Sequence, residues 1–279
     1  MDNSFLVAAF ALSAAAAWGS GDFSNGLAAR RVGPFQTVLI SYSVGLVGLL
    51  IVALISAEQL PPAADLAWGA LAGLSGALGV IFLLRGFSAG RMGIVAPVSA
   101  VLGTAIPVIF AALTEGLPRQ LQLLGFGLAL VAIWLLSHPE GAGDRSNALG
   151  MAMLAGVGFG GFFTFLGQVG PSAKFWPLIA GRLASCVLMI VIAIFRRESK
   201  LPPLPILGLM ALGGALDLGG NLLFLLAIQS GRLDVAAVLG SLYPAVTAIL
   251  AWLIVKEHIA GVQMIGVVVA ILAIVLITM

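Results

Sequence analysis

The chain has 279 residues, of which 61% are hydrophobic and only 9% are charged. Soluble domains average about 25% charged residues, so this composition excludes a water-soluble globular protein and indicates one that lies in a lipid bilayer. The balance of 13 basic against 11 acidic residues is better explained as a signal of membrane topology than as a nucleic-acid-binding surface, and no nucleic-acid partner is expected.

Ten apolar stretches are long enough to cross a bilayer as helices, which takes about 20 residues each. The first begins at Phe5 and runs to about Ala29. It lacks a preceding basic segment and is too long for a cleaved signal peptide. Membrane β-strands are disfavoured because the runs are continuously apolar. We therefore expect an all-α integral membrane protein with ten transmembrane helices. The other nine are predicted at residues 35–56, 66–88, 92–114, 121–137, 147–169, 174–195, 204–230, 233–255 and 261–278.

The most polar interruption lies at the midpoint of the chain, at residues 138–146. This stretch combines proline and glycine with charged side chains, which is typical of a connection. It is predicted to be a linker between a first five-helix repeat, residues 1–137, and a second, residues 147–279.

An internal repeat appears when the sequence is shifted by 141 residues along itself. Small residues and a Gly-Arg pair then coincide in three pairs of helices. A repeat with an odd number of crossings ends on the opposite side from where it began, so the second copy must be inverted. Inverted repeats are typical of secondary transporters, although a purely structural duplication is an alternative. Among the aligned pairs are Gly19 and Gly160, Gly73 and Gly214, Arg91 and Arg232, Gln122 and Gln263, and Gly125 and Gly266.

Three local motifs accompany the five-plus-five organisation. A Gly-Arg pair precedes the fourth and ninth helices, Ser241-Leu242-Tyr243-Pro244 lies within the ninth, and the two helices close with Thr114-Glu115 and Lys256-Glu257. In these features the chain resembles the ten-helix EamA-type branch of the drug/metabolite transporter (DMT) superfamily.

The resemblance implies two inverted five-helix repeats in a multi-pass protein of the bacterial inner membrane. It also implies a secondary transporter that exports small metabolites by alternating access. Amino acids are the expected substrates, including aromatic ones, as in the YddG-type exporters of this family. Efflux of lipophilic cations or drugs is the alternative within transport, and a passive channel or scramblase is an alternative outside it.

Charged side chains within membrane helices cost about 2.5 to 3.5 kcal/mol each at the helix centre, so each needs a partner or an aqueous cavity. Asp217 lies near the middle of the eighth helix, with Asn221 one turn later on the same face. Two roles are open for Asp217, and they are compatible with each other. It binds a substrate amino group or a proton, and it pairs with Arg182 and fixes the seventh and eighth helices. Arg182 also suits a substrate carboxylate, because a guanidinium pairs with carboxylates bidentately.

Trp18, Asp22 and Asn25 recur at helical spacing on the first helix. Small neighbours allow close helix approach, so this stripe is predicted to face a substrate cavity. The alternative is that both polar residues are hydrated near the membrane surface while Trp18 packs. Tyr243 and Thr247, one turn apart beside a proline, are predicted to present hydroxyls to the same cavity or to pack in the core.

Tyr42 and Phe82 complete the candidate substrate-binding residues, on weaker grounds, because aromatic side chains near a membrane surface are normally anchors. Arg85, near the end of the third helix, is expected to anchor that end by extending its guanidinium to the membrane surface.

No sequence motif supports enzymatic chemistry. Neither a Walker-type glycine loop nor a Gly-x-Ser-x-Gly element occurs, and the two histidines, His138 and His258, are too isolated for a metal centre. Cys186, the single cysteine, is expected to be a small packing residue. We expect no catalytic residue, cofactor or metal. The expected partners are a small-molecule substrate and membrane lipids, and the sequence is compatible with a monomer.

The basic residues and the family resemblance give opposite orientations. Nine basic residues fall in connections on one side and three on the other, which puts both termini outside by the positive-inside rule. The resemblance implies termini inside, so the orientation stays open. The first set comprises Arg30, Arg31, Arg85, Arg91, Arg145, Arg196, Arg197, Lys200 and Lys256, and the second Arg119, Lys174 and Arg232.

Overall fold

A computed structural model describes residues 3–88, 92–136, 146–196, 202–250, 253–254 and 261–278. Over these ranges the chain is helical and contains no strand. Eleven helical segments form ten crossings, which confirms the predicted fold class. The predicted ends agree with the observed ones to within three residues, except in the ninth crossing. The segments are α1 (Asn3–Val32), α2 (Pro34–Ser56), α3 (Ala63–Ser88), α4 (Met92–Thr114), α5 (Gln120–Leu136), α6 (Ser146–Leu166), α7 (Phe175–Arg196), α8 (Leu204–Ser230), α9 (Leu233–Gly240), α10 (Tyr243–Leu250) and α11 (Gly261–Thr278).

The ninth crossing is interrupted, and this corrects the single helix predicted over residues 233–255. It consists of α9 and α10, separated by Ser241 and Leu242. Pro244 follows this break, and a proline has no backbone N–H to donate to the preceding turn. The Leu242 backbone N–H donates to the Leu239 carbonyl at 3.2 Å, which closes a tight turn at the end of α9.

Helices of the two halves interleave instead of forming separate bundles. The most extensive packing joins α1 to α8, α6 to both α3 and α4, and α5 to α11. Glycines allow the closest approaches, because a Cβ on Gly73 would lie 2.1 Å from the carbonyl oxygen of Gly181. The core between the halves is therefore made largely by small residues at helix contacts, as in other membrane bundles.

The outer surface is apolar. By length and composition, α1, α2, α3, α7 and α8 are long and apolar enough to cross a membrane, and five shorter apolar helices accompany them. Side chains such as Leu54 and Phe195 are about four-fifths exposed. A surface of this kind is stable in contact with lipid chains.

The bundle has two ends, because successive crossings run in opposite directions. We call the end where α1 begins and α11 finishes the terminal end. The opposite end, where α1 finishes and α2 and α6 begin, is the linker end. Residues 137–145, which include most of the predicted linker, lie outside the described residues.

Candidate substrate site

Asp22 lies on the side of α1 that faces the rest of the bundle, and yet this residue is exposed. Ala11, Ala15 and Trp18 precede it at spacings of 11, 7 and 4 residues, which places all four on one side of the helix. These three side chains are 0, 2 and 8% exposed, respectively. Since the lipid-facing side of α1 lies elsewhere, the accessible surface of Asp22 belongs to a cavity inside the bundle.

Two other helices border this cavity. Asp22 lies close enough to Tyr42 of α2 and Tyr243 of α10 to interact electrostatically with both. One turn further along α1, no described atom lies within 4 Å of the position that a Cβ on Gly26 would occupy. Among the described residues, the space beside Asp22 therefore continues toward the linker end.

Arg182 and Asp217 form an ion pair between α7 and α8. The Arg182 side chain is 6% exposed and the Asp217 side chain 27% exposed. The guanidinium carbon also lies 4.3 Å from the centre of the Tyr42 ring, a cation–π contact that joins α2 to the pair. Of the two roles left open for Asp217, the structure shows the pairing. Because each charge has its partner, the pair adds no net charge to the cavity.

A line of hydrogen bonds runs from the ion pair to α1. The side-chain amide nitrogen of Asn221 donates to the Asp217 carboxylate at 3.4 Å. The side-chain oxygen of Asn221 accepts a 2.9 Å bond from the Trp18 indole N–H. Trp18 also packs on the rings of Phe163 and Phe224, with centroids 5.8 and 5.4 Å away. Together with Phe162, these rings fill the bundle on the terminal side of Asp22.

Asn25 and Thr247 bind neighbouring helices. The Ser41 hydroxyl lies 2.7 Å from the Asn25 carbonyl oxygen and 3.0 Å from the Met210 carbonyl, so one serine links α1, α2 and α8. The Thr247 hydroxyl donates to the Gly19 carbonyl at 3.0 Å. This is a contact between α10 and α1.

The structure does not bring Phe82 to the other candidates. Phe82 is half-buried on α3, and within the described part of the chain no polar or ring contact joins it to them. Arg85 is exposed, and its guanidinium carbon lies 5.9 Å from the Phe35 ring centre, as expected for an anchoring side chain. Cys186 is buried and has its expected packing role.

The two halves match one family model. The description "EamA-like transporter family" applies to residues 5–138 and again to residues 146–279, and the second range begins and ends 141 residues after the first. The chain belongs to the EamA-like transporter family. Its membrane location and its general role as a transporter follow from this membership.

Comparison with solved proteins agrees with the fold. A protein of known crystal structure superposes with a TM-score of 0.75, covering 97% of this chain and 95% of its own, at 17% sequence identity. An identity this low supports the fold alone. Comparison with curated proteins gives no match.

In this EamA-like transporter, the terminal end is closed by polar contacts between connections. The Glu58 carboxylate accepts backbone N–H bonds from Lys174, Phe175 and Trp176 at 2.6, 2.9 and 3.3 Å. It thus caps the first turn of α7 from the connection between α2 and α3. Asp65 accepts a further bond from the Gly170 backbone at 2.9 Å.

Arg232 forms a second set of polar contacts at the terminal end. Its guanidinium donates to the Gly116 carbonyl at 2.7 Å and to Asp234 at 2.8 Å. The Leu233 backbone N–H lies 3.4 Å from the Glu115 carboxylate. These contacts join the end of α4 to the start of α9. Partial burial raises the pKa of Glu115, and the hydrogen bond to Asp234 raises the pKa of Arg232.

Several residues that build the site escaped prediction. Ser41 links three helices, and Gly45 lies beside Arg182, because a Cβ on Gly45 would be 3.4 Å from the Arg182 Nε atom. Both are small residues of a kind common in every membrane helix, so their sequence carries no distinguishing signal. Phe163 is different, since the 141-residue shift places it opposite Asp22, and that alignment could have identified it. Glu58 lies in a predicted connection, where a cap on a distant helix has no local signature.

Proposed function

We propose that this EamA-like transporter exports small metabolites that carry an ammonium group, with amino acids, including aromatic ones, as its main substrates. The observation that carries the proposal is Asp22, an exposed carboxylate deep in the bundle with no ion-pair partner among the described residues. A carboxylate in this position attracts a cationic group, and the rings of Tyr42, Tyr243 and Trp18 suit an organic side chain.

Alternating access is supported by the two ends of the bundle. The cavity beside Asp22 continues toward the linker end, whereas connections at the terminal end are held by Glu58 and Arg232. An inverted repeat can exchange these two arrangements by rocking one set of helices against the other. In this proposal, the arrangement described above is the state with access from the linker end.

The proposal is tested by exchange in proteoliposomes. Vesicles loaded with unlabelled phenylalanine should take up labelled phenylalanine with saturation, and Asp22→Asn should lose most of this uptake. Glu140→Gln is the matched control, because it removes a carboxylate between the two family-matched ranges and should leave uptake unchanged. If folded wild-type protein exchanges neither phenylalanine nor an organic cation, the proposed function is wrong.

Efflux of lipophilic cations is the second candidate, and the Arg182–Asp217 pair favours it. A zwitterion needs a cationic group for its carboxylate, but Arg182 is buried and bound to Asp217. Phenyltrimethylammonium, a permanent cation with an aromatic ring, is therefore the comparison substrate. Exchange of this cation without exchange of phenylalanine would assign the protein to cation efflux.

We also propose that the protein lies in a bacterial inner membrane. Its orientation in that membrane can be measured. A fluorescent protein that matures only in the cytoplasm, fused after Met279, should report the side of the terminal end. A bright fusion places the cavity opening outside the cell, and a dark, well-expressed fusion places it in the cytoplasm.

A further inference from the structure

Two aromatic rings of the proposed substrate cavity, those of Trp18 and Tyr42, are joined by one chain of polar contacts. The Trp18 indole N–H donates to the side-chain oxygen of Asn221 at 2.9 Å. The side-chain nitrogen of Asn221 lies 3.4 Å from the Asp217 carboxylate, which pairs with Arg182. The Arg182 guanidinium carbon lies 4.3 Å from the centre of the Tyr42 ring. The chain of contacts thus runs from α1 through α8 and α7 to α2.

The Trp18 ring lies in a narrow slot between helices. A Cβ on Gly220 of α8 would lie 2.5 Å from Cδ1 of the indole, and a Cβ on Gly240 at the end of α9 would lie 3.3 Å from its Cζ3. The Trp18 side chain is 8% exposed, and it precedes Asp22 by one turn on the same face of α1. The glycines leave room for the ring. The bond to Asn221 gives the ring a direction, because a hydrogen bond prefers a nearly linear N–H···O angle.

Asn221 is itself oriented by the ion pair. A side-chain amide carries a donor nitrogen at one end and an acceptor oxygen at the other. Because the nitrogen faces the Asp217 carboxylate, the oxygen is left to accept from the Trp18 indole. Arg182, in turn, holds the carboxylate. The ion pair therefore fixes which end of the amide meets the ring.

Orientation explains this chain of contacts better than stability does. A buried ion pair is often no more stable than apolar side chains of similar volume, because desolvation offsets the attraction between the charges. Charged groups within a membrane helix carry a further cost. Directional bonds, by contrast, select one arrangement of the groups that they join. The polar contacts are therefore suited to hold the two rings in fixed planes.

We propose that Asn221 is a positioning residue that sets the substrate preference of the cavity, because it holds the Trp18 ring in one plane for flat, aromatic side chains. This inference rests on the proposed function and deepens it by naming what selects the side chain. Asp22 keeps its proposed role and binds the substrate ammonium. Aromatic rings attract each other in offset or edge-to-face arrangements, which depend on the planes of both rings. A ring already held in place loses less freedom when the substrate binds, whereas a saturated substrate ring gains mainly from contact area.

Exchange of two matched substrates in proteoliposomes tests this role. Phenylalanine and β-cyclohexylalanine share one carbon skeleton and the same charged groups, but only phenylalanine has a flat ring. The unaltered protein should have the lower KM for phenylalanine. Asn221→Leu should raise this KM about fivefold, as expected from the loss of one net hydrogen bond, and change the KM for β-cyclohexylalanine less than about twofold. The maximal rate should stay unchanged for both substrates.

A double-variant comparison tests whether Asn221 acts through Trp18. Trp18→Phe keeps a ring and removes the indole N–H, so it should lower the preference for phenylalanine. Adding Asn221→Leu to Trp18→Phe should then have no further effect. Gln229→Leu is the matched control on α8. The Gln229 side-chain nitrogen donates to the Gly170 and Ala173 carbonyls at 3.1 and 2.8 Å, so this variant loses two hydrogen bonds to a connection and should keep the preference for phenylalanine.

The possible outcomes separate this inference from the proposed function. An unchanged KM ratio in folded Asn221→Leu, an equal loss for both substrates, or an equal effect of Asn221→Leu in the Trp18→Phe background overturns the positioning role. If Asn221→Leu does not fold, an unchanged ratio in Trp18→Phe overturns it. If the unaltered protein exchanges only organic cations, phenyltrimethylammonium and cyclohexyltrimethylammonium replace the two amino acids with the same expectations. Absence of exchange with all four compounds in folded protein overturns the proposed function itself, on which this inference rests.

Discussion

The repeat-related helices α1 and α6 place equivalent positions in opposite surroundings. Gly26 and Gly167 align in the 141-residue repeat. No described atom lies within 4 Å of a Cβ built on Gly26, whereas a Cβ on Gly167 would lie 2.9 Å from a methyl carbon of Leu233. Asp22 is exposed, but its counterpart Phe163 is 6% exposed and packed among other rings. Among the described residues, two copies of one motif thus differ in how tightly the two ends are packed.

Under the proposed alternating access, access at each end is expected to depend on how α4 or α9 meets the repeat-related helix. At the terminal end, Leu233 at the start of α9 covers Gly167. The residue aligned with Leu233 in the first half is Met92, at the start of α4. Closure of the linker end is therefore expected to bring Met92 against Gly26, while Leu233 leaves Gly167.

Cysteine pairs at these positions should give the largest effect. In a Cys186→Ser background, Gly167→Cys with Leu233→Cys should cross-link readily and abolish transport, because the terminal end can then no longer open. Reduction of the disulfide should restore transport. The measurement is gel mobility together with phenylalanine exchange in the same vesicles.

The repeat-related pair, Gly26→Cys with Met92→Cys, provides the matched comparison. It should form a disulfide only slowly at rest and faster while substrate is being transported. Equal cross-linking rates for the two pairs at rest would contradict the difference between the ends.

Filling the open path should be the next largest effect. Gly26→Trp places a bulky ring where the described atoms leave space, so folding should be retained while transport falls about tenfold or more. Gly127→Trp is the control, because Gly127 of α5 is also exposed with nothing described within 4 Å of its Cβ position. Unchanged exchange in Gly26→Trp would show that substrates do not pass this position.

The helices and the repeat were predictable because membrane thickness imposes a length on every apolar run. The interruption between α9 and α10 was not. Pro97 and Pro107 lie within α4, which is continuous, whereas Pro244 follows a break. A proline removes one donor everywhere, but whether the helix separates depends on neighbouring helices that satisfy the freed carbonyl. Those neighbours are a property of the tertiary structure.

The charged residues of the candidate site were visible in the sequence, and the pairing of Asp217 with Arg182 was one of the roles that the sequence left open. Charge inside an apolar run was enough to single out Asp22, Arg182 and Asp217. Which aspartate meets the arginine depends on the rotation of α7 and α8 about their axes. That rotation is set by close glycine contacts such as Gly73 with Gly181, and small residues are too common in membrane helices to reveal it.

Loss of the Glu58 cap should produce a moderate effect on the closed end. At the linker end, α2 begins after Gly33 with no side-chain cap, whereas Glu58 accepts three backbone bonds at the start of α7. Removing a cap costs about 0.5 to 2 kcal/mol. At the typical cost of about 1 kcal/mol, Glu58→Ala should therefore increase labelling of Gly167→Cys by a membrane-impermeant thiol reagent about fivefold.

Glu58→Gln serves as the comparison for that measurement, since its amide oxygen can still accept a backbone bond. Its labelling rate should lie between those of Glu58→Ala and the unaltered protein. If Glu58→Ala labels no faster than the parent, the cap does not hold the terminal end closed.

The pH dependence of the closed end should be the smallest effect. Burial raises the pKa of Glu115 above its ordinary value of 4.5. Protonated Glu115 therefore favours the closed end over an open, hydrated end. Closure is therefore favoured below this value and weakens as the pH rises through the raised pKa.

Spin labels attached through Leu117→Cys and Ser172→Cys, in the Cys186→Ser background, should show a slightly larger population at long distance on the alkaline side of the transition. Because Glu115 is itself exposed, the shift should be less than about twofold. Glu115→Gln cannot ionise and should give a distance distribution independent of pH over the same interval. A transition that persists in Glu115→Gln would move the titration to another group at the terminal end.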